Sequence, residues 1–254
     1  EQVKRQGGAL KPQDSGGDPD HQPAGIHGAS ATNNPIGFRG QRFCRGVIEE
    51  RGGAGTLGDL RRFPVASIPA QTIQLAVPYL SQRDSATSQG ERMCFSSSCA
   101  MAASFLKPGC LTGKGQADDH YLQLVQRYGD STNATAQVQA LATLGIRAQF
   151  RSNGDNKALI QQLTKGIPCP VGWLHHGSVS SPCGGGHWSL VVGWDPSTQQ
   201  FLMHDPYGEA DLVAGGFTRT TLGSGKGVRY SLKNWGARWQ ADGPGTGWWI
   251  QISR

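Results

Sequence analysis

The sequence has few long apolar runs, and none exceeds about half a dozen residues. A bilayer-spanning helix needs roughly 20, so no transmembrane helix is expected. The opening residues, Glu1-Gln2-Val3-Lys4-Arg5, hold no apolar core of the signal-peptide type. They begin without Met, which reads as a processed chain or a fragment. No C-x-x-C pair and no His-Glu-x-x-His occurs, so the common redox and zinc-protease signatures are missing. The first 71 residues contain no Trp and no Tyr, only Phe38, Phe43 and Phe63, against 13 glycines. Such a stretch cannot bury a core of its own. Residues 1–71 are therefore expected to form a glycine-rich arm or linker, and residues 72–254 the folded domain.

Charge is modest in amount but biased in sign. Charged residues make up 17%, with 24 Lys and Arg against 18 Asp and Glu, a net +6. A basic surface favours anionic partners: nucleic acid, phospholipid or a cell-wall polymer. The basic residues are scattered rather than clustered, so nucleic acid is not expected as substrate. Six cysteines, at 44, 94, 99, 110, 169 and 183, are too sparse in 254 residues for a disulfide scaffold, and at least one calls for another explanation.

From Thr72 onward the periodicity and punctuation predict an α+β order, helices first and most strands later. Thr72 to Leu80 reads as an extended strand. Helices are predicted over Ser96 to Leu106, from Ala117 to a stop at Gly129, over Ala134 to Leu144, and over Lys157 to Thr164. Strands are predicted at Ile146 to Phe150, Ile167 to Trp173, His187 to Trp194, Gln200 to His204 and Trp248 to Ile252.

Cys94 stands just before the first of these helices. Unpaired N–H groups and the macrodipole at a helix start stabilise a thiolate, the nucleophilic form. Cys99, deeper in the same helix among Ala100, Met101 and Ala103, reads as a core residue. A thiol nucleophile needs a base, and His187 has the best setting. It follows Gly184-Gly185-Gly186, which permit close approach of another chain, and opens an apolar strand. The loop Ser181 to Gly186 is expected to flex over the cleft. The base needs an orienter, and two Asp-Pro pairs follow. A strand rises about 3.3 Å per residue, so Asp195 ends roughly 25 Å from His187 at the far turn. A hairpin centred near Ser197 returns Asp205 beside Ser189, near His187. Asp205 is the candidate and Asp195 a turn residue. For the oxyanion of an acyl transfer, the Cys94 backbone N–H and Gln82 are the candidate donors.

Four blocks occur in order. They are Val77-Pro78-Tyr79-Leu80-Ser81-Gln82-Arg83-Asp84, Met93-Cys94 opening a Ser/Ala-rich helix, Gly186-His187-Trp188 with Val191-Val192-Gly193, and His204-Asp205-Pro206-Tyr207-Gly208. Together they resemble the papain-like cysteine peptidases related to the double-glycine leader, or bacteriocin-processing, peptidases, and similar blocks occur in phage and bacterial cell-wall relatives. The resemblance spans residues 72–254. It implies a papain-like fold, N-terminal helices packed on an antiparallel sheet, with Gln82 at the oxyanion, Cys94 as nucleophile, His187 as base and Asp205 as orienter. It implies no cofactor. That family usually has Gly-Pro after its cysteine, where this chain has Phe95-Ser96, a change expected to reshape the pocket beside the nucleophile. The family setting and the basic charge lead to a peptide or peptidoglycan substrate, a virion-associated, extracellular or periplasmic location, and a role for the arm in binding other virion or tail proteins.

Two other classes fit parts of the sequence. His175, His176, Cys183, His187, His204 and Asp205 lie close in sequence and include zinc-type ligands. Alternatively Trp235, Trp239, Trp248 and Trp249 would line a glycan-binding surface on an inactive version of the fold. The i,i+4 spacing of Trp235 and Trp239 also fits a hydrophobic core, and Trp248 and Trp249 face opposite sides of their strand.

Overall fold

The computed structural model describes residues 71–253. The arm expected over 1–71 therefore lies, but for Gln71, outside the described residues, as does Cys44. Within 71–253 the order is β1 (Ile73–Gln74), α1 (Cys94–Leu106), α2 (Ala117–Gln126), α3 (Ala134–Thr143), β2 (Arg147–Gly154), α4 (Asn156–Thr164), β3 (Cys169–Trp173), β4 (His187–Asp195), β5 (Gln200–His204), β6 (Glu209–Ala210), β7 (Phe217–Arg219), β8 (Lys226–Ser231), α5 (Asn234–Trp239) and β9 (Gly247–Ser253). This is the helices-then-strands order of an α+β domain. None of its helices is long and apolar enough to cross a membrane.

The main sheet runs β2-β9-β3-β4-β5-β8, with every pair antiparallel. β1 pairs with β4 at Gly193 and Trp194, just past the Cys169–Val191 pair where β3 begins. β6 and β7 form a separate two-stranded ribbon. Both faces of the sheet are covered. On one side Trp188, Leu190, Val192, Ile250 and Ile252 pack with Phe95, Met101, Tyr121 and Leu141 from α1, α2 and α3. On the other, Val171, Trp173, Val191, Phe201 and Trp249 pack with Leu159 and Leu163 of α4 and with Trp235 and Trp239 of α5. All nine residues of β4 are buried, which is why its sequence reads as a continuous apolar run rather than an alternating one.

Three sequence expectations change. The extended segment from Thr72 forms ladder bonds only at Ile73–Gln74. Pro78 has no N–H to give, and the segment is instead stitched to the turn after β5: Tyr79 Oη and Ser81 Oγ donate to the carbonyls of Asp205 and Pro206. The first helix starts at Cys94, two residues earlier than predicted, because Ser97 N–H already bonds Met93 C=O at 2.8 Å. Strand β8 was not predicted. Its Lys226 and Arg229 suit a sheet edge and give no clean apolar alternation.

The serines of α1 have a structural use. Ser97 Oγ donates to buried Asp118 at 2.6 Å, and Ser96 Oγ accepts from Gln137 Nε2 at 2.9 Å. These bonds tie α1 to α2 and α3 without bulky side chains, so the helix that begins at Cys94 is anchored on both neighbours.

Candidate active site

Cys94 is the first residue of α1 and half-buried. With the first helical hydrogen bond made by Ser97 N–H, the N–H groups of Cys94, Phe95 and Ser96 have no intrahelical acceptor. Their partial positive charge lies at the thiol. Cys99 and Cys169 are fully buried, and burial pushes both thiols far above the usual range. Burial also raises Cys110.

His187 is the first residue of β4 and 4% exposed. Its Nε2 donates to Asp205 Oδ1 at 2.7 Å. That bond leaves Nδ1 unengaged by Asp205, and Cys94 lies close enough to act on the ring electrostatically. Burial by itself would lower the imidazole. The charge and hydrogen bond of Asp205, with a further contribution from Cys94, outweigh it and raise the pKa to about 10. The ring is walled in by Trp173 and Phe217, both edge-on with centroids at 5.3 Å. Trp173 is in turn fixed by its Nε1 donating to Ser189 Oγ at 3.0 Å.

Asp205 is completely buried. Strand register brings it here: Leu190 pairs with His204, so Asp205 returns beside the start of β4. Its Oδ1 also accepts from the N–H groups of Tyr207 and Gly208, and its Oδ2 from the Tyr230 hydroxyl at 3.2 Å. Asp195 lies at the far turn, where it accepts from Ser197 N–H and Oγ and pairs with Arg229. Tyr230 belongs to β8, and sequence reasoning did not find it. Nothing in the local sequence marks it, because its link to Asp205 exists only through the pairing of β8 with β5.

Gln82 is 1% exposed and sits in a single 3-10 turn. Its backbone N–H bonds Pro206 C=O at 3.0 Å, and its Nε2 donates to Gly90 C=O at 2.8 Å. The residue thus links the Asp205–Pro206 turn, through its backbone, to the turn that leads into Cys94, through its side chain. A carbonyl partner fixes which end of the amide is nitrogen, and the second Nε2 hydrogen is left over for another acceptor. The structure therefore gathers Cys94, His187 and Asp205 at one place, the last two joined by a hydrogen bond, with Gln82 tied to the segments on either side.

Other expectations are corrected. Phe95 does not line a pocket beside the nucleophile: it is 1% exposed and stacks on Trp188 with centroids 3.4 Å apart. The loop before His187 is tied at Cys183. His176 and Cys183 exchange two backbone hydrogen bonds, and a Cβ on Gly184 would press within 2.7 Å of the His176 ring. For the zinc reading, Cys183 is disulfide-bonded and so offers no thiolate. Among the described residues no three His, Cys, Asp or Glu side chains converge as metal ligands. For the glycan-surface reading, Trp235, Trp239 and Trp249 are at most 4% exposed, and the first two stack at 5.0 Å in the core.

Comparison with known proteins found no match among curated sequences. Two solved structures are similar in part. The peptidase domain of Streptococcus ComA, a bifunctional ABC transporter involved in a quorum-sensing pathway, is 19% identical with a TM-score of 0.41, over 71% of this chain and 98% of that one. A Bacillus anthracis protein described as C39-like peptidase is 12% identical with a TM-score of 0.43, over 72% and 98%. The Peptidase_C39-like family matches residues 74–215, a span that takes in Gln82, Cys94, His187 and Asp205 and covers more than half of the 254 residues. The chain belongs to the Peptidase_C39-like family, and its fold is that of the papain-like peptidases related to the double-glycine leader peptidases.

Proposed function

We propose that this protein is a cysteine peptidase that hydrolyses amide bonds through an acyl-Cys94 intermediate. The observation that carries this reading is the buried 2.7 Å bond between His187 and Asp205, on a ring that a cysteine at a helix start also influences. In the first step the Cys94 thiolate attacks the amide carbonyl carbon, and the carbonyl electron pair moves onto oxygen. The Cys94 N–H and Gln82 Nε2 stabilise that oxyanion. Collapse breaks the C–N bond as His187 gives its proton to the leaving amine. His187 then takes a proton from water, which attacks the thioester and releases a carboxylic acid and the thiolate. Asp205 holds the imidazole and offsets its charge throughout.

The substrate we propose is peptidoglycan, its stem or cross-link peptides, acted on by a secreted or virion-associated lysin. The net charge of +6 supports attraction to an anionic wall polymer. The test has two arms. A thiol alkylator near neutral pH should modify Cys94 before Cys99, Cys110 or Cys169 and abolish activity, as should Cys94→Ala. Cell-wall sacculi treated with the protein should release peptides, identified by mass spectrometry. Activity that survives Cys94→Ala overturns the peptidase reading. Release of sugars, or of nothing, from sacculi overturns the substrate.

A further inference from the structure

We propose that Phe95 and Trp188 are positioning residues that set the separation of the nucleophile from its base; this rests on the peptidase reading above. The two reacting side chains belong to different elements, 93 positions apart in sequence. Each is followed at once by one half of a stacked pair: Phe95 after Cys94, Trp188 after His187. The rings lie 3.4 Å apart and 5° from parallel. Both are buried, Phe95 at 1% and Trp188 at 5% exposure. The other side of the indole is closed by β3. Gly172 stands opposite Trp188 in the register, and a Cβ there would come within 2.7 Å of the ring. Phe150 of β2 borders it at a centroid distance of 6.3 Å.

The indole is thus held between the first turn of α1 and the backbone of the sheet. Because Cβ directions alternate along β4, Trp188 points into the α1 side while His187 points to the other face, where Trp173 and Phe217 enclose it. Any slip of α1 along the sheet must carry Phe95 across the indole, and it carries Cys94 past His187 by a similar distance. The indole is walled by Phe95 and by the β3 backbone at Gly172, and close-packed interiors leave little room for such a slip. A displacement of about 1 Å between reacting groups can lower a rate by about 10²-fold.

The test reads the Cys94–His187 pair directly, through the pH dependence of the alkylation rate at Cys94 with iodoacetamide. Phe95→Leu and Trp188→Leu keep an apolar side chain but remove the stack, the second also leaving a cavity; Trp188→Phe keeps a ring. Gly172→Ala pushes on the indole from behind. The expected result for both leucine variants is a fall of about 10-fold or more in the alkylation rate near neutral pH. The pH profile of the rate should change with it, and turnover should drop at unchanged KM. Trp188→Phe should stay close to the parent and Gly172→Ala fall between. Leucine variants that lose thermal stability but keep the parent pH profile would show the stack to be core packing alone and overturn the proposal. If Phe95→Leu does not fold, Trp188→Phe against Trp188→Leu reads the same contact from the strand. Activity independent of Cys94 would instead sink the peptidase reading, whereas Cys94-dependent activity indifferent to the stack sinks only the positioning role.

Discussion

Replacing Asp205 by Asn isolates the charge that faces His187. The carboxylate accepts four hydrogen bonds: from His187, Tyr207 N–H and Gly208 N–H at Oδ1, and from Tyr230 at Oδ2. Asn keeps a carbonyl for the first three and changes no volume. What it loses is the charge-assisted character of the His187 bond and, where the amide nitrogen replaces Oδ2, the acceptor for Tyr230. Such bonds contribute about 1.5–3 kcal/mol against about 0.5–1.5 for neutral ones, so the loss is about 1–2 kcal/mol. At 1.36 kcal/mol per pKa unit, the imidazole should move down by about one unit from about 10. The same loss in the transition state is roughly 5- to 30-fold in kcat/KM. The sign for stability follows from the raised pKa. His187 stabilises the fold fully below its ordinary 6.5, and this contribution disappears as pH rises through about 10. Asp205→Asn should therefore be less stable than the parent at pH 6, and the gap should close above pH 10. The assay is a proton–carbon NMR titration of ring-labelled histidine, with urea unfolding at both pH values. A His187 titration unmoved by the substitution, in a folded variant, refutes the reasoning.

Other outcomes follow from single contacts. Gln82→Ala removes the proposed oxyanion donor and should lower kcat by about 10²–10³-fold while leaving the Cys94 alkylation rate unchanged, because alkylation develops no oxyanion; parallel losses in both assays would reassign Gln82 to structure. Asp118 lies under α1, and burial, reinforced by neighbouring Asp119 against the Ser97 hydrogen bond, raises it to about 6. Its contribution to stability is present below about pH 4 and lost as pH rises through about 6, so Asp118→Asn should flatten the pH dependence of the urea midpoint across that window. An unchanged slope would place the effect elsewhere. Trp235 is fully buried against Trp239, and Trp235→Ala should destabilise by about 3–5 kcal/mol in urea titration; a loss below about 1 kcal/mol would mean the site collapses freely.

Much of the site was legible because its signals are local. A cysteine at a helix start, a histidine opening a buried strand and a turn near Ser197 can be read from a few residues each, and the 3.3 Å strand rise suffices to prefer Asp205 over Asp195. Helix starts and stops were legible to within two residues at Pro108, Gly145 and Gly166 for the same reason. The contacts that depend on strand pairing across long separations were not. Tyr230 reaches Asp205 only because β8 pairs with β5. Phe95 looked like a change to the pocket because sequence does not say which way the second residue of a helix points. Gly172 is an unremarkable glycine until Trp188 lies opposite it. The sequence by itself determined which side chains are candidates for the chemistry and in what order they arrive along the chain, since those depend on residue type and local backbone. Tertiary structure alone decided how they are held: which hydrogen bonds Asp205 receives, what encloses His187, and how α1 is locked to β4. Those depend on register and packing, where one residue of slip turns every side chain of a strand to the other face.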